Sequence, residues 1–202
     1  MRTVLQRVKN ASVTVDGELI SQIGKGLLVL AAIEKNDTQK DVDTMAGKIL
    51  KAKLWDDDST DPPGRWKRGV AEIGGEVLCV SQFTLLASVK KGNKPDFHQS
   101  ASGIKAKTLY KAFFNKVQES YTPDKVKDGL FAAMMDVALV NDGPVTIILD
   151  TNPPKMEDPT SLGPGFASPS DSTASTVIDI NDLVNNMTRI TKEFQIPAEL
   201  LE

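Results

Sequence analysis

The run Leu27-Leu28-Val29-Leu30-Ala31-Ala32-Ile33 carries no polar residue. A strand with one wet face alternates, so an uninterrupted apolar run of this length must be a strand buried on both faces. The rest of the fold therefore has to place strands beside this run and covering elements over it.

The flanking segments supply both. Before it, TVLQRV and ASVTV alternate as strands, and Asp16-Gly17 followed by ELISQI is a two-residue turn signal for a hairpin. After it the period changes: Val42, Met45, Ala46, Ile49, Leu50 and Leu54 fall at helical spacing, with Thr38 placed to cap the helix. The turn-rich DDDSTDPPGRW leads to EVLCVSQFTLL, which reads as another strand, and KKGNKPDFHQSAS reads as a surface loop. Ile104, Leu109, Ala112, Phe113 and Val117 give a second amphipathic helix ending before Pro123. LFAAMMDVALV and VTIILD read as closing strands separated by a turn at Asn141-Asp142-Gly143-Pro144. This order predicts an α/β domain of β2-(βα)2-β3 type, a mixed, curled sheet covered by two helices.

The domain should span 1–152, because the composition then shifts to PPKMEDPTSLGPGFASPSDSTAS. Pro, Ser and Gly in that proportion predict a flexible linker within a tail of 153–202. Ile180, Leu183, Val184, Met187, Ile190 and Phe194 could share one face of an amphipathic helix over 179–194, docking back on the body or binding a protein partner. Charge divides at the same place. Residues 1–152 hold 21 Lys/Arg against 19 Asp/Glu, about +2, and 153–202 hold 3 against 8, about −5. A nearly neutral body argues against non-specific binding along duplex nucleic acid, but not against gripping one nucleic-acid end.

Several chemistries are excluded. MRTVLQRVKN lacks the apolar segment of a secretory signal, and no stretch is long and apolar enough to span a bilayer, so a cytoplasmic protein without membrane attachment is expected. The single cysteine, Cys79, lies within EVLCV as a small buried hydrophobe. The single histidine, His98, has neither a second His nor a Cys to complete a metal site, and no G-x-S-x-G elbow or phosphate-binding glycine loop is present. No metal and no cofactor are expected. What remains is a site of hydroxyls, amides and main-chain dipoles.

Two segments suit such a site. In Ser81-Gln82-Phe83-Thr84-Leu85, polar residues follow an apolar strand with no turn residue to account for them, a place for oriented N–H donors. In Asn141-Asp142-Gly143-Pro144-Val145-Thr146, the Gly-Pro pair exposes carbonyls and gives up one N–H; read alone it is a hairpin turn. Phe131 and Met135, read as strand positions on one face, suit ordinary core packing. Arg7 interrupts the alternation of the first strand, as a residue that orders a site or as one end of a surface salt bridge.

Taken together, SQFTL at 81–85 and NxGPVT at 141–146 resemble the two signature motifs of the D-aminoacyl-tRNA deacylases. The likeness extends through MRTVLQRVKNASVTVDGE, GKGLLVL, KGNKPDFH and the FGAxM-like segment at Phe131 to Met135, covering nearly all of 1–150. The family's FGA reads Phe131-Ala132-Ala133 here, which adds a methyl group. Animal relatives of relaxed chirality look like PQATL at the first motif, so SQFTL favours the D-selective branch.

The resemblance implies hydrolysis of the ester joining a D-amino acid, or glycine, to the terminal adenosine of tRNA. Ser81, Gln82, Phe83 and Thr84 would form the catalytic segment. The family's Gly-cis-Pro pair, here Gly143-Pro144, would act as a chiral filter inserted into the other subunit of a homodimer. Phe131 and Met135 would hold the adenosine, with Arg7 and Asn141 ordering the substrate site. Two other readings compete: a nucleic-acid-end binding module whose acidic tail contacts a protein partner, and an esterase of small metabolites. Affinity for duplex DNA without turnover would favour the first, and cleavage of free D-aminoacyl esters as fast as charged tRNA would favour the second.

Overall fold

The computed structural model describes residues 1–153 apart from 60 and 91; the linker and the helix expected over 179–194 lie outside the described residues. The opening alternation forms one 14-residue strand, β1 (Arg2–Val15), where two separate strands were expected. Register shifts beside Val8 change the phase, so Leu5 points inward on one side of Arg7 and Val8, Ala11 and Val13 on the other. Asp16 and Gly17 both have positive φ, 51° and 83°, which lets a two-residue turn return the chain along β2 (Glu18–Ile23).

The apolar run is β3 (Gly26–Ala32), antiparallel to β1 and parallel to β6 (Glu76–Ser81). Its residues feed two cores. Leu27 and Val29, with Val77 and Cys79 of β6, pack under helices α1 (Gln39–Lys51) and α2 (Gly103–Ser120). Leu28, with Leu78 and Val80, packs against Val8, Ala11, Val13 and Ile23 inside the curl of the sheet. The sheet runs β2-β1-β3-β6-β7, with β7 (Val126–Asp128) at its far edge. Ser21 of β2 donates to the Asp128 carbonyl of β7 at 2.8 Å, so the curl nearly closes.

β3 and β6 approach closely at one point. A Cβ on Gly26 would lie 1.8 Å from the Glu76 carbonyl oxygen, and main-chain atoms cannot move aside as a side chain can. Gly26→Ala is expected to cost about 3 kcal/mol, as forced overpacking at its upper range does. Urea unfolding checks this, and a loss under about 1 kcal/mol would show that the strands part easily.

α1 buries Val42, Met45, Ala46 and Ile49, as their spacing predicts. At its start the Asp41 carboxylate accepts the Thr38 N–H at 3.0 Å and the Thr38 hydroxyl at 2.8 Å. Burial acts to raise Asp41, but hydrogen bonds from Thr151 and Thr38 outweigh it and hold the carboxyl at about 2. α2 buries Tyr110, Phe113 and Val117, whereas Ile104 is 85% exposed and lies outside the buried stripe.

Three expectations need correction. The turn-rich 55–68 contains a hairpin, β4 (Trp55–Asp57) with β5 (Gly64–Arg68), clasped by an Arg68–Asp57 ion pair at 2.9 Å. β6 ends at Ser81, and Phe83–Leu86 forms a 3-10 turn, because β3 stops beside it and leaves no partner for a longer strand. The closing segment is one strand, β8 (Asp136–Asp150), and not two strands around a hairpin turn. β8 pairs with β1 along its length. The register passes from Gln6↔Thr146 to Val8↔Asn141, so the residues between Asn141 and Thr146 bulge from a continuous strand. Leu130 to Met135 precede β8, and Ala132, at φ 62°, turns the chain there. No helix of the described residues is long and apolar enough to cross a membrane.

Candidate active site

β6 delivers Ser81 to the sheet edge, and the chain then leaves the sheet as the 3-10 turn. Gln82 N–H donates to the Ala31 carbonyl at 2.8 Å, which pins the start of the turn to β3. The first N–H groups of a helical turn have no internal partner. Among the described residues, none accepts from the main-chain N–H of Phe83 or Thr84. Both residues are exposed, Phe83 by 56%. The Gln82 carboxamide donates to the Thr84 hydroxyl. A carboxamide donor cannot take up the hydroxyl proton, so Thr84 lacks an adjacent base.

The turn is braced from three sides. The Phe83 ring meets Phe97 edge to face, with centroids 5.0 Å apart. Ser100 donates to the Phe83 carbonyl at 3.4 Å. Arg2, ion-paired to Asp150 at 2.9 Å, donates to the Leu85 carbonyl at 3.3 Å. Arg2 and Phe97 were not singled out from the sequence. The one available signal was an aromatic residue within an otherwise polar loop.

Gly143 and Pro144 are both exposed at the bulge in β8, joined by a cis peptide bond, with Gly143 at φ 118°. Arg7 stands behind them, and its side chain is 17% exposed. It donates to the Asp142 carbonyl at 3.2 Å, pairs with the Asp142 carboxylate at 3.1 Å and donates to the Leu54 carbonyl at 2.5 Å. This is a largely buried clamp, unlike a surface salt bridge. Asn141 accepts from the Gln6 amide at 3.1 Å, while its own Nδ2 is buried with no acceptor among the described residues.

Phe131 and Met135 do not share a strand face. Phe131 packs on Tyr110, centroids 5.6 Å apart, at the margin of the core under the helices, and Met135 packs against the core inside the curl. Tyr110 donates to Asp128 at 2.6 Å, and burial raises both groups. His98 is exposed beside Asp96, and burial pushes the Cys79 thiol well up, so it is no nucleophile.

The two motifs attach to opposite ends of one stretch of β1. Arg2 braces the 3-10 turn and Arg7 clamps the bulge. Arg7 lies five strand steps beyond Arg2, roughly 17 Å at the usual strand rise. Within one chain the 3-10 turn and the Gly143-Pro144 pair are thus held from different points of β1.

A family profile described as D-Tyr-tRNA(Tyr) deacylase matches residues 4–150. A protein of Yarrowia lipolytica named D-aminoacyl-tRNA deacylase is 57% identical over 152 residues, 75% of this chain and 97% of that protein. One of Schizosaccharomyces pombe with the same name is 50% identical over 151 residues, 75% of this chain and 99% of that protein. The solved structure of a protein called c-Myc DNA Unwinding Element Binding Protein superposes with a TM-score of 0.71 at 46% identity, covering 76% of this chain and all of its own. With the profile spanning both motifs over residues 4–150 and 57% identity extending over 152 residues, the chain belongs to the D-Tyr-tRNA(Tyr) deacylase family.

Proposed function

We propose that this protein hydrolyses the ester of D-aminoacyl-tRNA, and of mischarged glycyl-tRNA, releasing amino acid and tRNA as chiral proofreading of translation in the cytoplasm. The observation that carries the reading is the pair of N–H groups at Phe83 and Thr84, which have no acceptor among the described residues, at the exposed edge of a braced turn. An aminoacyl ester is already activated, so placing water and stabilising the developing oxyanion is the main requirement. Water adds to the ester carbonyl carbon and the acyl C–O bond to the ribose breaks. The proton passes to the departing ribose oxygen, with the neighbouring 2′-hydroxyl as relay.

The protein works as a two-fold homodimer. Gly143-Pro144 and the 3-10 turn are braced from opposite ends of one stretch of β1, which supports a pocket completed by the partner subunit's dipeptide. Its carbonyls occupy the space an L side chain would need and leave room for a D side chain or a hydrogen. Arg7 holds the dipeptide in place, Asn141 orders the strand beside it, and Phe131 with Met135 receives the adenine, as unpaired RNA bases are received by stacking and apolar contact.

Hydrolysis of matched D- and L-Tyr-tRNA by the purified protein tests the reading; equal rates, or none, would sink it. Thr84→Ala is expected to stay within about tenfold of wild-type kcat/KM, because loss of a covalent nucleophile would cost about 10⁴-fold or more. An inactive, folded Thr84→Ala protein would make the hydroxyl the attacking group.

A second reading draws on the superposed protein, whose name makes it a binder of a DNA element. In it, the chain binds nucleic-acid ends and the acidic 153–202 contacts a protein partner. Salt-dependent affinity for duplex DNA with no turnover of D-Tyr-tRNA would favour it.

A further inference from the structure

Beside the 3-10 turn lies an open cavity of about 580 Å3 whose lining includes Leu86, Ala87, Lys90, Lys94, His98 and Gln99. Ser88 and Asp96 exchange two main-chain hydrogen bonds, each 2.8 Å, which close the base of the loop that carries Lys90 and Lys94. The other charged groups at the cavity are already engaged. Arg2 is held by Asp150 and the Leu85 carbonyl. Asp96 accepts the His98 N–H at 3.0 Å and pairs with the imidazole, whose second nitrogen meets the Gln99 amide at 3.0 Å. Lys90 and Lys94 have no ion-pair partner among the described residues. The nearly neutral body thus presents two unpaired cations in a cavity that shares a wall with the 3-10 turn.

We propose that this cavity is a phosphate subsite in which Lys90 and Lys94 grip the phosphodiesters of the single-stranded RNA leading to the terminal adenosine. The inference rests on the deacylase reading for the identity of the RNA. Its physical basis is independent of that reading, since an RNA end must bring phosphates to any site that holds its terminal ester. Two lysines on a closed loop set the register of the incoming strand by position and charge, without reading a base. Phe97 ties the loop to the turn through Phe83, which links the gripping of the phosphates to the presentation of the ester.

The test compares the full-length wild type with a Lys90→Gln/Lys94→Gln double variant of unchanged melting temperature. The substrates are D-Tyr-tRNA and the D-tyrosyl ester of plain adenosine, which carries no phosphate. The variant should lose about tenfold or more in kcat/KM on tRNA relative to the adenosine ester, carried in KM, with a salt slope flattened by about 1.4, the value for two single-strand phosphate contacts. Equal losses on both substrates, or an unchanged ratio, would overturn the proposal. Binding of the uncharged trinucleotide CCA reads the subsite without turnover and should weaken similarly in the variant. Wild type that binds CCA in a lysine-dependent way yet leaves D-Tyr-tRNA intact would defeat the deacylase reading and keep the subsite. CCA bound equally by both proteins, or inorganic phosphate bound as tightly as CCA, would defeat the subsite and leave the deacylase reading standing.

Discussion

Gly143→Ala is expected to lower kcat/KM for D-Tyr-tRNA by about a hundredfold, the usual cost of misplacing a substrate-contacting group by about an ångström. Two features of the bulge lead there. Gly143 sits at φ 118°, a backbone conformation that an L side chain rarely adopts. An added Cβ would also lie 2.8 Å from Val145 Cγ2 and 3.0 Å from the Arg7 guanidinium. Relief comes by moving the dipeptide or displacing Arg7, and Arg7 holds Asp142 and Leu54 together. In either case the Gly143-Pro144 carbonyls leave the position from which they screen the partner's pocket. The fold should survive, because the bulge is exposed and β8 keeps its pairing with β1 on both sides. Kinetics with D- and L-Tyr-tRNA, beside a melting curve and a sedimentation measurement, checks this. A folded dimer with wild-type rates on D-Tyr-tRNA would remove Gly143-Pro144 from the filter.

The same bulge shows where local sequence stops being informative. Asn, Asp, Gly and Pro favour a change of chain direction, and 141–144 reads as a turn between two strands. That chemistry serves equally well when a single strand loops out and resumes against the same neighbour, and only the long pairing of β8 with β1 decides between them. Periodicity over longer windows fared better. The unbroken apolar run became the central strand and the spacing from Val42 to Ile49 became the buried face of α1, because burial acts on the whole repeat and tolerates local exceptions. Where the window is short it failed: β4 is three residues long, and Phe131 to Met135 read as part of an apolar strand while Ala132 turns the chain with no residue type to announce it. The site divides in the same way. SQFTL and NxGPVT were legible as motifs. Their supports were not, since Arg2 reaches Leu85 and Arg7 reaches Leu54 and Asp142 across distances no local pattern encodes.

Stability should be most sensitive at a place remote from both motifs. Asp37→Ala is expected to cost about 3–5 kcal/mol, the range for removing one partner of a buried ion pair. Asp37 is 2% exposed, and its carboxylate accepts the Met1 ammonium at 2.5 Å and the Glu34 N–H at 2.6 Å. The Met1 ammonium is fully buried and would keep only the Thr151 hydroxyl, at 2.8 Å, and Glu34, at 3.8 Å. Glu34 stands farther off than Asp37 does, and burial raises its carboxyl even with the ammonium lowering it. A buried ammonium left without its near carboxylate must draw in water, which opens the junction of β1 with the end of β8. The damage should reach the active site, because the neighbouring segment supports the loop beneath Phe83: Lys35 N–H donates to the Gln99 carbonyl at 2.9 Å, and Ala101 N–H to the Ile33 carbonyl at 3.0 Å. Urea unfolding of wild type and variant at one protein concentration measures the loss, and concentration must be fixed because association shifts apparent stability. A cost below about 1 kcal/mol would mean that water already shares the ammonium and that the pair is a surface contact in energetic terms.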